Sequence, residues 1–198
     1  MHPPTPWPPA IPDPWWQYTQ QCAVALASGY EPPQVAVYGP VLYDGELARL
    51  CTTAICSRLS CQGKPEYQSH SLWAFGSPLM MAGTFAASAA MDSYQRRKAQ
   101  NSGQPRWRFQ RPATVIVTDE RILCSGSEGQ FLDFGHGNVT EFYPDLAARS
   151  VVLAYGDDCT PLRFDGPAAP AIALWCAHGI FGDNWINDIR LQLLLHAQ

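Results

Sequence analysis

His136 stands between Gly135 and Gly137, with Asp133 just before it and Glu141 and Asp145 just after. A carboxylate beside an imidazole can transfer protons or hold a divalent metal. Asp157, Asp158 and Asp165 fall on neighbouring turns or strands and could join the same group. Yet the chain has no G-x-S-x-G elbow, no H-E-x-x-H helix and no Walker loop. Gly-His-Gly is better read as a hairpin turn with His136 exposed. His178 lies late on an apolar helix, where it is expected to face solvent or satisfy a terminal carbonyl. Neither Gly135-x-Gly137 nor Gly126-x-x-Gly129 runs into a helix, so neither is a phosphate loop. No catalytic residue, metal ligand or cofactor is assigned.

Cys51, Cys56 and Cys61 are five apart. Zinc sites usually pair cysteines at separations of about two to four residues. These three are read as small buried hydrophobes. The chain has seven cysteines and an N-terminus with neither a basic segment nor an apolar signal core. Reduced thiols in the cytoplasm are therefore expected.

Positive charge is concentrated. Residues 92–111 carry six basic side chains (Arg96, Arg97, Lys98, Arg106, Arg108, Arg111) and one acidic one. Residues 112–198 carry four basic and eleven acidic, which should repel phosphate. Arg106-Trp107-Arg108-Phe109 alternates so that, on a strand, both arginines face one way and both aromatics the other. The plain reading is one wet and one buried face; the sharper one is an anion site. Two such repeats are too few to indicate single-stranded nucleic acid, and no nucleic-acid partner is expected.

The elements that would position these residues are read in chain order. Residues 1–12 form a Pro-rich tail. Residues 13–34 form a helix and linker: Asp13 caps, Pro14 opens, Trp15, Tyr18 or Thr19, Cys22 and Leu26 share a face, and Gly29 stops it. Short strands are expected at Val35–Tyr38, Glu46–Arg58, Ser71–Phe75 and Arg106–Phe109. Ser77-Pro78 starts a helical insertion at about 77–100, whose run Leu79–Met91 has no charge over 13 residues. That is shorter than the roughly 20 residues a membrane-spanning helix needs. Met80, Gly83, Phe85, Ala87 and Ala90 make it a candidate interface. Packing within the chain is the first reading, self-association the second. Shallow insertion into an anionic membrane, with Arg96, Arg97 and Lys98 facing lipid, is the third.

From Thr114 the pattern is an antiparallel meander: Thr114–Thr118, Ile122–Cys124, Gln130–Phe134, Val139–Tyr143, Val151–Tyr155 and Leu162–Phe164. Its turns are Asp119-Glu120, Gly126 to Gly129, Gly135 to Gly137, Pro144-Asp145 and Gly156 to Asp158. Pro167 then opens an apolar helix carrying Ala168, Ile172, Trp175 or Cys176 and Gly179, closed by Gly182. Asn187 caps a last short helix with Ile189, Leu191, Leu193, Leu194 and Leu195.

The hairpin Val117-Thr118-Asp119-Glu120-Arg121-Ile122-Leu123 resembles the V-T-D-x-R-L hairpin of pleckstrin-homology-like domains in their bacterial, GRAM-type form, including actinobacterial proteins. Val41-Leu42-Tyr43-Asp44-Gly45-Glu46 resembles their L-x-x-G-E segment, and Phe164-Asp165-Gly166-Pro167-Ala168 their closing strand and helix. The resemblance covers roughly residues 36–195. It implies an α+β fold: a partly open antiparallel barrel over residues 35–198, capped by a C-terminal helix, with the inserted apolar helix and the N-terminal helix added. It implies no particular ligand, because this superfold serves many. The expected function is a non-catalytic binding or adaptor protein that engages a protein partner or a second copy of itself. The alternative is peripheral binding to anionic lipid through the 79–98 helix and Arg106, Arg108 and Arg111. The second alternative is a small hydrolase using His136 and a nearby Asp.

Overall fold

The computed structural model describes residues 13–31, 33–60, 106–126, 129–157 and 159–196. The tail 1–12, the expected strand Ser71–Phe75, the insertion at 77–100, Cys61, Met80, Gly83, Phe85, Ala87, Ala90, Arg96, Arg97 and Lys98 lie outside the described residues.

Helix α1 spans Pro14–Ala27. Asp13 accepts a hydrogen bond from the Trp15 N–H at 3.0 Å, and Pro14 takes the position where a missing donor costs nothing. Gly29, at φ 78°, lets the Tyr30 N–H turn back to the Ala25 carbonyl at 3.1 Å and ends the helix. Asp13 is also ion-paired with Arg149, which ties the helix start to the sheet.

Seven strands follow: β1 Ala48–Ser60, β2 Arg106–Thr118, β3 Arg121–Ser125, β4 Phe131–Gly135, β5 Glu141–Asp145, β6 Ser150–Tyr155 and β7 Cys159–Asp165. They form one antiparallel sheet in the order β4-β3-β2-β1-β7-β6-β5, which does not close among the described residues. β1 is the hinge of the arrangement, paired with β2 along its length and with β7 from Ile55 to Arg58. Its inner side chains Leu50, Ala54 and Cys56 join Val115, Val117, Ile122, Phe134, Leu153, Leu162 and Phe164 in the core.

Helix α2, Ala169–Phe181, fills the concave side. All nine residues from Ala169 to Ala177 are buried, so the helix is apolar around its whole circumference. Each large side chain so buried contributes about 1.5–3 kcal/mol. α1 packs on the far side of α2 through Trp15, Tyr18, Cys22 and Leu26, so α2 lies between a sheet and a helix. Among the described residues no helix is long and apolar enough to cross a membrane.

Several expectations are corrected. Residues 35–38 are not a strand: the Val35 N–H bonds the Ala48 carbonyl at 2.9 Å, but Pro33 and Pro40 cannot extend a ladder. The segment is instead a strap whose Val35, Val37 and Leu42 cover Ala48, Ile116 and Leu123 on the outer face of the sheet. β5 starts two residues later than expected because His136–Asn138 form a 3-10 turn. It runs through Pro144, which the sheet edge tolerates, and the bend falls at Arg149, φ 51°. α2 begins at Ala169 rather than Pro167, with Pro170 in its first turn. In place of the last helix expected after Asn187 there is one 3-10 turn, Gln192–Leu194, with a second, Gly182–Asn187, before it; Trp185, Leu191 and Leu194 are buried, and Ile189 and Leu193 are exposed.

Candidate functional site

Two groups of arginines are set into the same sheet. The first is built on the β2–β3 hairpin. Thr118 Oγ accepts from the backbone N–H groups of Glu120 (3.1 Å) and Arg121 (2.9 Å) and donates to Glu46 Oε1 at 2.7 Å. Arg121 grips Glu46 with two bonds, Nε to Oε1 at 2.9 Å and Nη2 to Oε2 at 3.0 Å. Its Nη1 donates to Asp133 Oδ2 at 2.8 Å and its Nη2 to the Val41 carbonyl at 3.0 Å. The guanidinium lies 3.6 Å from the centre of the Tyr43 ring, and the Tyr43 N–H donates to Glu46 Oε2 at 2.7 Å. The Glu46 side chain is fully buried. Burial would raise its pKa, but the Arg121, Tyr43 and Thr118 bonds outweigh it and hold the carboxyl below its usual value. Burial likewise opposes the charge on Arg121, and Glu46 reverses this and pushes its pKa up. The two sequence motifs, the threonine–arginine hairpin and the glycine–glutamate segment, are thus halves of one satisfied network.

His136 belongs to neither group and is not exposed. It is 4% exposed, with Nε2 2.9 Å from the Thr118 carbonyl. A carbonyl only accepts, so Nε2 carries the proton and Nδ1 is a bare, buried acceptor without a partner. The ring lies flat against α2 because Gly179 has no side chain: a Cβ there would sit 2.4 Å from His136 Cδ2. Burial holds the imidazole below its ordinary pKa despite the Thr118 carbonyl, Asp119 and Glu46, which pull the other way. Asp133 turns to Arg121 rather than to the imidazole. The alternative carboxylate–imidazole pair of Asp133 and His136 is therefore not formed. His178 is half-buried, edge-on to Trp175 at 6.2 Å, and burial lowers its pKa too. Among the described residues no three His, Cys, Asp or Glu side chains come together.

The second group lies on the inner face, at the end where β1 leaves and β2 returns. Arg58 pairs with Arg108 and Cys56 with Arg111 across the two strands. Between them β2 carries one extra residue, and Phe109 adopts φ 58°. This bulge keeps Arg108 and Arg111, three apart in sequence, on one face. It also corrects the expected buried aromatic face: Trp107 lies under Arg163, 5.8 Å from ring centre to guanidinium, but Phe109 is 60% exposed. Arg111 Nη2 donates to the Ser125 carbonyl at 2.9 Å. Arg58 lies over Phe134 at 5.4 Å, and Phe134 meets Tyr155 at 5.7 Å. Among the described residues the buried Arg108 Nε and the Tyr155 hydroxyl have no hydrogen-bond partner. Among the described residues no carboxylate forms an ion pair with Arg58, Arg108 or Arg111. Arg106 is exposed at the start of β2, opposite Ser60.

The charge is felt nearby. Cys124, beside Cys56, pulls the Cys56 thiol below its ordinary pKa with help from Arg58 and Arg111, against burial. Cys124 itself is pushed up by the same contact and by burial. Cys56 is buried, as expected, and so is Cys124, but Cys51 is exposed. The structure brings together two of the anion candidates, Arg108 and Arg111, and adds Arg58. Arg58 was missed because its pairing with Arg108 spans the segment 61–105 and leaves no local signal.

No protein-family model matches the chain, and no curated protein matches it either.

Proposed function

We propose that this chain is a non-catalytic, peripheral binding domain of the pleckstrin-homology-like kind, and that it takes an anionic lipid headgroup at Arg58, Arg108 and Arg111. One observation carries the reading. Strand register and the bulge set Arg58, Arg108 and Arg111 at one end of the β1–β2 pair, and among the described residues no carboxylate forms an ion pair with any of them. Desolvating like charges together is unfavourable unless a counter-charge arrives. Planar guanidinium groups suit phosphate oxygens, which they bind through paired hydrogen bonds. Exposed Phe109, in the same bulge, supplies an apolar side chain for the interfacial region. The strand order, with β1 shared by both halves of the sheet and a helix after β7, supports the pleckstrin-like resemblance.

The test is co-flotation of the purified full chain with phosphatidylglycerol and phosphatidylcholine vesicles at low and high salt. Binding should be confined to the anionic vesicles and weaken with salt. Near a membrane each basic residue contributes roughly 1 kcal/mol, about fivefold in affinity. Arg58→Gln/Arg108→Gln/Arg111→Gln should therefore lose roughly a hundredfold by the same per-residue figure. Equal binding to both vesicles, or undiminished binding by the triple variant, would reject the proposal.

A further inference from the structure

The outer face carries a cleft beside the Arg121 network. Between the strap and the β3–β4 hairpin lies a cleft of about 280 Å³, whose lining includes Val41, Leu123, Gln130, Phe131 and the ion-paired Arg121 and Asp133. Gly39, at φ 108°, lets the strap turn there, so close that a Cβ would sit 3.3 Å from the Phe131 ring. Tyr38 is 90% and Val41 87% exposed at its rim. β4 is the last strand of the sheet and, among the described residues, pairs only with β3. Among the described residues its other edge thus presents backbone donors and acceptors that a further strand could use.

The charge of the Arg121 network, which reaches the cleft through Arg121 and Asp133, selects the occupant. One guanidinium, Arg121, is shared by two carboxylates, Glu46 and Asp133, which leaves an excess of one negative charge. Glu46 is fully buried, whereas the Asp133 side chain is 51% exposed and gives Arg121 only Oδ2. The excess is thus offered at the surface by Asp133. Beside it, Phe131 and Leu123 provide an apolar wall and Gln130 an exposed amide. An extended segment laid along β4 projects alternate side chains onto this outer face. A long apolar stem with a cationic tip matches the wall and the carboxylate together.

We infer that the edge of β4, unpaired among the described residues, and this cleft add a strand from a partner protein, an extended segment bearing a lysine or arginine whose stem packs on Phe131 and whose charge meets Asp133. The inference is independent of the lipid reading, since it uses the other face of the sheet and the opposite charge.

A displayed library of random nonapeptides, selected in parallel on the full chain and on Asp133→Asn, tests it. Enriched peptides should alternate β-formers with at least one Lys or Arg on the full chain alone. Titrated into isotope-labelled full chain, they should shift and slow the exchange of amides in Phe131–Gly135 and around Gly39. Replacing the peptide's basic residue by norleucine should weaken binding about tenfold, the scale of one lost charge pair, and this needs no variant of the protein. Four results would each overturn the inference: no enrichment, enrichment of peptides without a basic residue, an unchanged norleucine peptide, or shifts confined to the Arg58–Arg108–Arg111 end.

Discussion

Arg121 and the Arg58–Arg108–Arg111 group use the same side chain for opposite ends. Arg121 is buried, paired in a bidentate manner with a buried glutamate, stacked on Tyr43 and bonded to a carbonyl. The inner-face arginines share a bulge, one carbonyl and one aromatic ring, and among the described residues the buried Arg108 Nε has no hydrogen-bond partner. A satisfied charge fixes a fold, and an unsatisfied one waits for a ligand. The comparison predicts that the first group will govern stability and the second binding.

The largest effect is expected at Arg121. Arg121→Ala leaves Glu46 ionised and enclosed, which costs about 3–5 kcal/mol. Chemical unfolding should show this loss, and Glu46→Leu/Arg121→Met should recover most of it. An Arg121→Ala protein as stable as the parent would contradict the structural role.

Gly179→Ala comes next. The new methyl meets a ring held by the Thr118 carbonyl, so a cost of about 1–3 kcal/mol is expected. Adding His136→Ala should remove most of that cost. A double-mutant cycle with no coupling would mean that the two residues do not touch.

The pH dependence of His136 ranks third. Its folded pKa is below the ordinary value of about 6.5, so the folded state binds fewer protons than the unfolded one. Its contribution is complete above about pH 6.5 and is lost as pH falls through the folded value. His178 is shifted the same way and shares the effect. Urea unfolding at a series of pH values should show stability falling below about 6.5, by at most about 1.4 kcal/mol per pH unit and histidine. His136→Asn should reduce that slope. An unaltered slope would remove His136 as its source. The Glu46 contribution runs out at lower pH, as the pH falls through a folded pKa below the usual carboxylate value.

The smallest effect on stability is expected from Arg58→Gln/Arg108→Gln/Arg111→Gln, within about 1 kcal/mol, because among the described residues no carboxylate partner is left behind. A large loss would make these arginines structural and sharpen the comparison against the binding reading.

Local chemistry was legible in the sequence, and pairing across distance was not. Asp13-Pro14 marked the start of α1 and Gly29 its end, because capping acts within one turn. The hairpin around Asp119 and the apolar C-terminal helix were legible for the same reason. His136 was misjudged because its burial depends on a glycine on α2, far along the chain, while its neighbours suggest an open turn. Arg108 and Arg111 share a face only because Phe109 adopts a conformation rare outside glycine, which residue type does not announce. The network around Arg121 was visible as two motifs, but neither named the other as its partner.

The most direct test follows the side-chain Nε–Hε signals of the arginines by NMR while the full chain is titrated with short-chain phosphatidylglycerol below its micelle concentration. The account predicts saturable shifts for Arg58, Arg108 and Arg111, with Arg121 unmoved. Shifts at Arg121 with the three unaffected, or equal linear drift of every arginine, would contradict it.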